Sequence, residues 1–221
     1  MAEHLDDDEQ VEALKRWWDE NGRSTLATVV LAIAGTVGWQ QYQDWGASQA
    51  AVASDLWEDA RVLLNADNPA AVAEGEALAA ALKSDHAGSV YAQFAALKLA
   101  ALAVTEDELE TAENELRWAL SKTGSQSELG RLVQLRLARV LAARGDETAA
   151  LAILEQGDGG YAVAYATARG DIHMAAGRDA EALDAYRSAR DMTLALGNPA
   201  GLLEAKITSL ESRVAAEETS S

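Results

Sequence analysis

Cysteine is absent from this chain of 221 residues, which also has only two prolines, one phenylalanine and three histidines. Without cysteine there is no disulfide framework, no thiolate metal ligand and no thiol nucleophile. The compartment stays open, because an exported protein need not carry disulfides. Bases are scarce as well: 18 Lys and Arg stand against 36 Asp and Glu, a formal net charge of −18. Nucleic-acid binding needs clustered Lys and Arg to neutralise phosphates, so this balance argues against it. Aromatics make up 5% of the chain. With alanine abundant, that points to close-packed helices rather than a sheet core. A hydrophobic share of 49% excludes a disordered chain. The length suits one domain of moderate size, or a small domain with an appendage.

What is present begins with an acidic start, Met1–Glu12, containing Asp6-Asp7-Asp8-Glu9. Val11, Leu14, Trp17 and Trp18 then recur at helical spacing beside Lys15 and Arg16. That pattern reads as a short amphipathic helix at a membrane surface. From Ser24 to Gln43 no residue is charged, and the run LATVVLAIAGTVGW is apolar at its centre. A helix of this length covers about 30 Å, the thickness of the hydrocarbon core of a bilayer. Trp17 and Trp18 precede the run, and Trp39, Tyr42 and Trp45 close it, as an interfacial aromatic belt would.

Two other readings compete with an uncleaved anchor. A buried helix of a soluble domain rarely carries so long an uncharged run. A cleaved signal peptide needs a short basic start and a nearby small-x-small site. This start is acidic, and Ala51-Val52-Ala53 lies well past the apolar core. Orientation follows from bases: Lys15, Arg16 and Arg23 precede the span, and none follows until Arg61. That asymmetry places the N-terminus on the cytoplasmic side. Within the span, Ala34 and Gly38 form a small-xxx-small pair that could let a partner helix approach closely, although small residues are common in membrane helices in any case.

The remainder shows nearly continuous helical periodicity. It is interrupted at Asn65–Pro69, Thr105–Glu106, Thr123–Ser125, Gly145-Asp146, Gly157–Gly160, Gly177 and Gly197–Pro199. Aligning Ala112, Ala150 and Ala182 puts Leu116, Leu154 and Tyr186 four residues on, then Ala119, Gly157 and Ala189 three further. This small–large–small pattern is that of the second helix of a tetratricopeptide repeat. The corresponding first helices are Tyr91–Val104, Leu132–Arg144 and Val163–Ala176, with Leu137-Ala138 and Arg169-Gly170 at the tight contact between paired helices. An ordinary up-down helical array would also place small residues where helices cross. Residues 47–82 supply a further pair, and Ala200–Glu217 a capping helix. The expected fold is all-α: one N-terminal transmembrane helix, then a tetratricopeptide-like right-handed solenoid of helical hairpins. The expected organisation is residues 1–23 as a cytoplasmic acidic tail and amphipathic segment, 24–43 as the transmembrane helix, and 44–221 as the tetratricopeptide-like domain.

No catalytic constellation emerges. His4, His86 and His173 are far apart and lack ligand spacing. Gly157-Asp158-Gly159-Gly160 has no Lys or Ser/Thr of a phosphate-binding loop. No Ser, His and Asp gather as a nucleophilic set. The chain reads as a non-enzymatic binding scaffold with no cofactor and no metal. Its concave face, lined by first helices, is expected at Leu132, Leu135, Arg139, Ala142, Ala143, Ala164, Thr167, Asp171 and Met174. Partner contacts are expected at Ala34 and Gly38 in the span and at Leu135, Arg139 and Met174 on that face. The face lacks the row of Lys, Arg and Asn that grips a peptide C-terminal carboxylate.

The stretch EQVEALKRWWDENG (Glu9–Gly22), followed by one apolar span ending in Gly38-Trp39, resembles the N-terminus of the YfgM family. LVQLRLARVLAARGDETAALAILE (Leu132–Glu155) and ARGDIHMAAGRDAEALDAYRSA (Ala168–Ala189) are similar to that family's repeats. The resemblance implies a bacterial single-span inner-membrane protein with a periplasmic tetratricopeptide-like domain. It implies an ancillary subunit of the SecYEG translocon that works with a PpiD-like periplasmic chaperone and assists newly exported, still unfolded polypeptides. A structural or regulatory scaffold for another envelope complex is the alternative.

Overall fold

The computed structural model of the protein describes residues 3–155 and 159–220, with side chains for 10–155 and 159–215. Gly157, expected as a small packing residue, therefore lies outside the described residues, as do the side chains of His4 and of Asp6–Glu9. Among the described residues there is no strand. The helices are α1 (Glu3–Leu63), α2 (Pro69–Asp85), α3 (Val90–Thr105), α4 (Leu109–Thr123), α5 (Glu128–Ala143), α6 (Glu147–Glu155), α7 (Ala162–Ala175), α8 (Asp179–Ala195) and α9 (Gly201–Ser220). A 3-10 turn, Gly159–Tyr161, leads into α7. The chain divides into two compact units, Met1–Val52 and Ala53–Ser221.

The first unit is helix throughout its described residues. Its large apolar side chains face no protein core: Leu31 is 72% exposed and Trp39 64%. Ring centroids of Trp39 and Tyr42 lie 6.3 Å apart, and those of Tyr42 and Trp45 6.5 Å, a ladder at three-residue steps on one helix face. Thr25, Thr28 and Thr36 turn their hydroxyls back to donate to the carbonyls of Asn21, Ser24 and Ala32, so none needs an outside partner. Among the described residues, no helix is long and apolar enough to cross a membrane. The sequence explains the shortfall. The strongly apolar core runs only from Leu26 to Trp39, with Ser24 and Thr25 before it and Gln40 and Gln41 after it.

The second unit is a run of helical hairpins. The end of α1 shares a buried cluster with α2 and α3; α3 with α4, α5 with α6, and α7 with α8 form hairpins, and α9 packs on α8. Sequence causes this at each end. Asn68 caps α2 by accepting from Ala70 N, with Pro69 at the first helical position. Ser89 accepts from Tyr91 N and Ser127 from Gly130 N at the starts of α3 and α5. His86 ends α2, and Gly88 and Ser89 mark the break before α3.

Four turns share one geometry. Asp107, Gly145, Gly177 and Gly197 each have positive φ. The next residue's N–H donates to the carbonyl five residues back: Glu108 to Ala103, Asp146 to Leu141, Arg178 to His173 and Asn198 to Thr193, at 2.8–3.1 Å. This is a Schellman ending, which satisfies a helix's last carbonyls and favours glycine at the left-handed position.

The small–large–small register is the packing register. Ala112, Ala150 and Ala182 are fully buried, Leu116, Leu154 and Tyr186 are 1% exposed or less, and Ala119 and Ala189 are fully buried. The core is continuous from Ala96 to Ile172 across α3 to α7, with further clusters where α1 and α2 meet α3 and where α8 meets α9. Gly170 shows why a small residue is needed opposite Tyr186. A Cβ at that position would sit 2.5 Å from the Tyr186 ring.

Candidate interaction groove

Small residues on the first helices of the hairpins leave space between neighbours, and that space is a groove. Its first part holds about 320 Å³ between α3, α4 and α5. Leu97, Ala100, Ala101 and Val104 of α3 line it opposite Arg136, Arg139, Val140 and Ala143 of α5. The second part, about 230 Å³, lies between α5 and α7 and is lined by Arg139, Ala142, Ala143, Ala168, Asp171, Ile172 and Ala175. Arg139 and Ala143 belong to both parts, so the two join along α5.

Charges around the groove are mostly engaged. Asp171 accepts from the Tyr186 hydroxyl at 2.6 Å and also pairs with Lys206 of α9. The Lys206 ammonium sits 4.9 Å from the centre of the Tyr186 ring. Burial and the Asp171 hydrogen bond push the Tyr186 phenol far above its usual range, so it stays a donor. Behind the groove, Glu113 of α4 accepts from Arg117 at 2.6 Å and pairs with Arg144 at the end of α5. Burial alone would raise the Glu113 carboxyl, but the two guanidinium groups outweigh it and hold it below the ordinary value. His173 accepts at Nδ1 from Arg178 Nε at 3.0 Å. Burial, then the Arg178 charge, keeps its imidazole below the usual range. It is a packing and hydrogen-bonding residue on α7. Among the described residues no group of three or more His, Asp and Glu is placed to hold a metal ion.

The expected face residues separate into three groups. Arg139, Ala142, Ala143 and Asp171 line the groove. Leu132, Ala164 and Thr167 are half-buried and line neither part, and Thr167 donates to Val163 O. Leu135 is a core residue, 5% exposed, and offers a partner almost no surface. Met174 packs against the α8–α9 cluster, its sulfur 3.8 Å from the Tyr186 hydroxyl. Ala34 and Gly38 are exposed one turn apart on α1. The sequence reading missed Leu97, Ala100, Ala101 and Val104 of α3, and Arg136 and Val140 of α5. The α3 segment was available as a first helix, and extending the face back by one repeat would have found it.

Comparison with known proteins accords with this architecture. The sequence model of the family described as "Tetratricopeptide repeat-like domain" matches residues 15–212. The chain is 30% identical over 213 residues to a protein of Escherichia coli strain K12 named "Ancillary SecYEG translocon subunit", covering 95% of this chain and 99% of that one. Proteins with the same name from Haemophilus influenzae and Neisseria gonorrhoeae are 31% and 29% identical, over 86% and 96% of this chain and 91% and 100% of theirs. No solved structure matches the chain.

Proposed function

The chain belongs to the tetratricopeptide repeat-like domain family, and on that premise we propose that it is a non-enzymatic ancillary subunit of the SecYEG translocon. The observation that carries this reading is likeness along nearly the whole length, anchor segment included, to proteins bearing that name. In this reading the hairpin unit works beside a PpiD-like periplasmic chaperone and meets newly exported polypeptides in its groove. Stacked hairpins supply extended surface and no reacting groups, which fits an adaptor.

The same reading makes α1 a single membrane anchor over Ser24–Gln43, with the N-terminus cytoplasmic and the hairpin unit periplasmic. Three features support it. The apolar side chains of this stretch are exposed along the helix. The threonine hydroxyls are satisfied internally, which lowers their cost in hydrocarbon. Trp17 and Trp18 precede the stretch, and Trp39, Tyr42 and Trp45 lie at its far end. An apolar core shorter than the bilayer is accommodated by local thinning, with the polar flanks reaching the headgroups.

Cross-linking in intact membranes, followed by purification through this chain, tests the proposal. Recovery of SecYEG and a PpiD-like chaperone is expected. Recovery of cell-wall or division machinery alone would overturn it. A reporter active only outside the cytoplasm should work when fused after Ser221, and its inactivity there would reverse the orientation.

A further inference from the structure

We propose that the groove selects apolar polypeptide segments that carry acidic side chains, and that Arg136 and Arg139 make the selection. This deepens the reading of the protein as an interaction subunit and rests on it. Arg136 and Arg139 lie three residues apart on α5, so they share a face, and both line the apolar space between α3 and α5. Both are exposed.

Their lack of partners sets them apart. From Arg61 to Arg213, every other arginine donates to a carboxylate or a carbonyl: Arg61 to Glu58, Arg117 and Arg144 to Glu113, Arg131 to Glu128, Arg169 to Leu154 O, Arg178 to Glu147, Arg187 to Glu211, Arg190 to Asp191 and Arg213 to Asp179. Among the described residues Arg136 and Arg139 have no such acceptor, in a chain where acids outnumber bases two to one. The one acid lining either part of the groove, Asp171, is already taken by Lys206 and Tyr186. The groove is thus a local positive site with apolar walls on a protein of net charge −18.

Charge complementarity therefore decides the occupant. A basic segment would meet two unpaired guanidinium groups in the groove. A purely apolar segment would leave both arginines without an acceptor. An apolar segment with Asp or Glu buries its hydrocarbon against Ala101, Val104 and Ala143, which are exposed in the groove, and gives the guanidinium groups carboxylates, which they can bind bidentately. The general negative field repels acidic chains elsewhere on the molecule, so selection is confined to this groove.

The test uses the full chain in phospholipid nanodiscs. The probes are a short fluorescein-labelled peptide of leucine, alanine and glutamate, and its copy with glutamine at every glutamate, read by fluorescence anisotropy. The native chain should bind the glutamate peptide about tenfold more tightly, since two part-exposed ion pairs are each worth up to about a factor of five. R136Q/R139Q should reduce that preference to about twofold or less while leaving the glutamine peptide's affinity and the thermal midpoint unchanged. Ala143, exposed and lining both parts of the groove, gives a second variant: A143W should weaken both peptides. Equal binding of the two peptides by the native chain overturns the proposal, as does a preference that survives R136Q/R139Q. If the peptides bind equally while SecYEG still co-purifies, only the charge selection falls. If SecYEG fails to co-purify, the underlying reading falls.

Discussion

Replacing Gly170 by alanine puts the hairpin packing to a direct test, because two physical effects oppose each other at that site. In an exposed helix interior, glycine to alanine is favourable by about 1 kcal/mol, through lower unfolded-state entropy and better helix propensity. Gly170 is on α7 but faces the fully buried Tyr186 of α8. An added Cβ would lie 2.5 Å from ring carbon Cε1, 2.6 Å from Cδ1 and 3.0 Å from Cζ. Real carbon contacts begin near 3.4 Å, so either the helices part or the ring moves. The ring is not free to move, because its hydroxyl is bonded to Asp171 and Lys206 lies over its face. Contacts this short against a ring held in place lie in the upper part of the overpacking range, about 2–3 kcal/mol, and subtracting the propensity gain of about 1 kcal/mol leaves a net loss of about 1–2 kcal/mol. For a domain of this size that lowers the thermal midpoint by about 2–8 °C. The comparator is Gly201→Ala at the start of α9, where an added Cβ meets nothing within 4 Å; it should be neutral or stabilising. Thermal unfolding of the full chain in detergent, followed by circular dichroism, reads both. The double variant G170A/Y186L should recover part of the loss, since the clash is removed along with the ring. A G170A protein as stable as the native one would refute the packing of α7 on α8.

Other positions give further tests. Trp at Ala182, fully buried, should cost about 1–3 kcal/mol by overpacking, whereas Trp at exposed Thr148 should cost little; equal midpoints would show the repeat register to be wrong. Asp107→Gly should stabilise by up to about 1 kcal/mol, because relief of the left-handed backbone exceeds the entropy that glycine adds to the unfolded chain; a lower midpoint would contradict the turn geometry. Glu113 and His173 both make acid destabilising. The lowered Glu113 carboxyl contributes stability above the ordinary carboxylate value of 4.5 and loses it as pH falls through its own lower value. The lowered His173 imidazole lets the unfolded chain bind its proton first, so stability declines as pH drops below 6.5 and levels off beneath the folded value. E113Q should lose about 1–2 kcal/mol at neutral pH and show a flatter decline below pH 4.5, measured by chemical denaturation across pH.

The hairpin register was legible because two independent signals coincide. Helical periodicity fixes which face is apolar, and Gly145, Gly177 and Gly197 fix where each helix stops. Where one signal was missing, the reading weakened. The turn at His86–Ser89 interrupts alanine-rich sequence without proline, and only Gly88 and the capping Ser89 mark it. Asp107 holds the left-handed position that glycine holds in the later repeats, so its turn lacks the usual marker. Leu135 was assigned to the open face because α5 is apolar around much of its circumference. Val133, Leu135, Leu137, Ala138, Val140 and Leu141 are all buried, since α5 packs on α4, α6 and α7. A helix covered on several sides has no single apolar stripe from which its open face can be read. Arg139 is legible in the sequence as a residue of the open face, whereas its pairing with Arg136 as a second unpartnered charge is not, for a different reason. An unpaired charge is defined by what its neighbours do, and the partners of the other arginines lie up to 34 residues away.

Those distant partners also explain how a chain with so large an excess of acid holds a thin stack together. Glu113 meets Arg144 and Glu147 meets Arg178, each 31 residues on, and Asp179 meets Arg213, 34 residues on. The spacing is about one repeat, so each pair ties one hairpin to the next. Single exposed pairs contribute little, about 0–1 kcal/mol. In a solenoid, however, each repeat touches only its neighbours, and stability is a sum of such interfaces. A modest term recurring at every junction therefore acts where the stack would otherwise open. It also lets the surplus carboxylates remain on the surface without pushing adjacent hairpins apart. α9 ends the series by the same means: Leu203, Ile207 and Leu210 close the core against α8, and Lys206 and Arg213 meet the acids that the last hairpin presents. Arg144, Arg178, Arg187 and Arg213 are thus spent on holding junctions, Arg61, Arg117, Arg131 and Arg190 pair with acids of their own helices, and Arg136 and Arg139 face the groove.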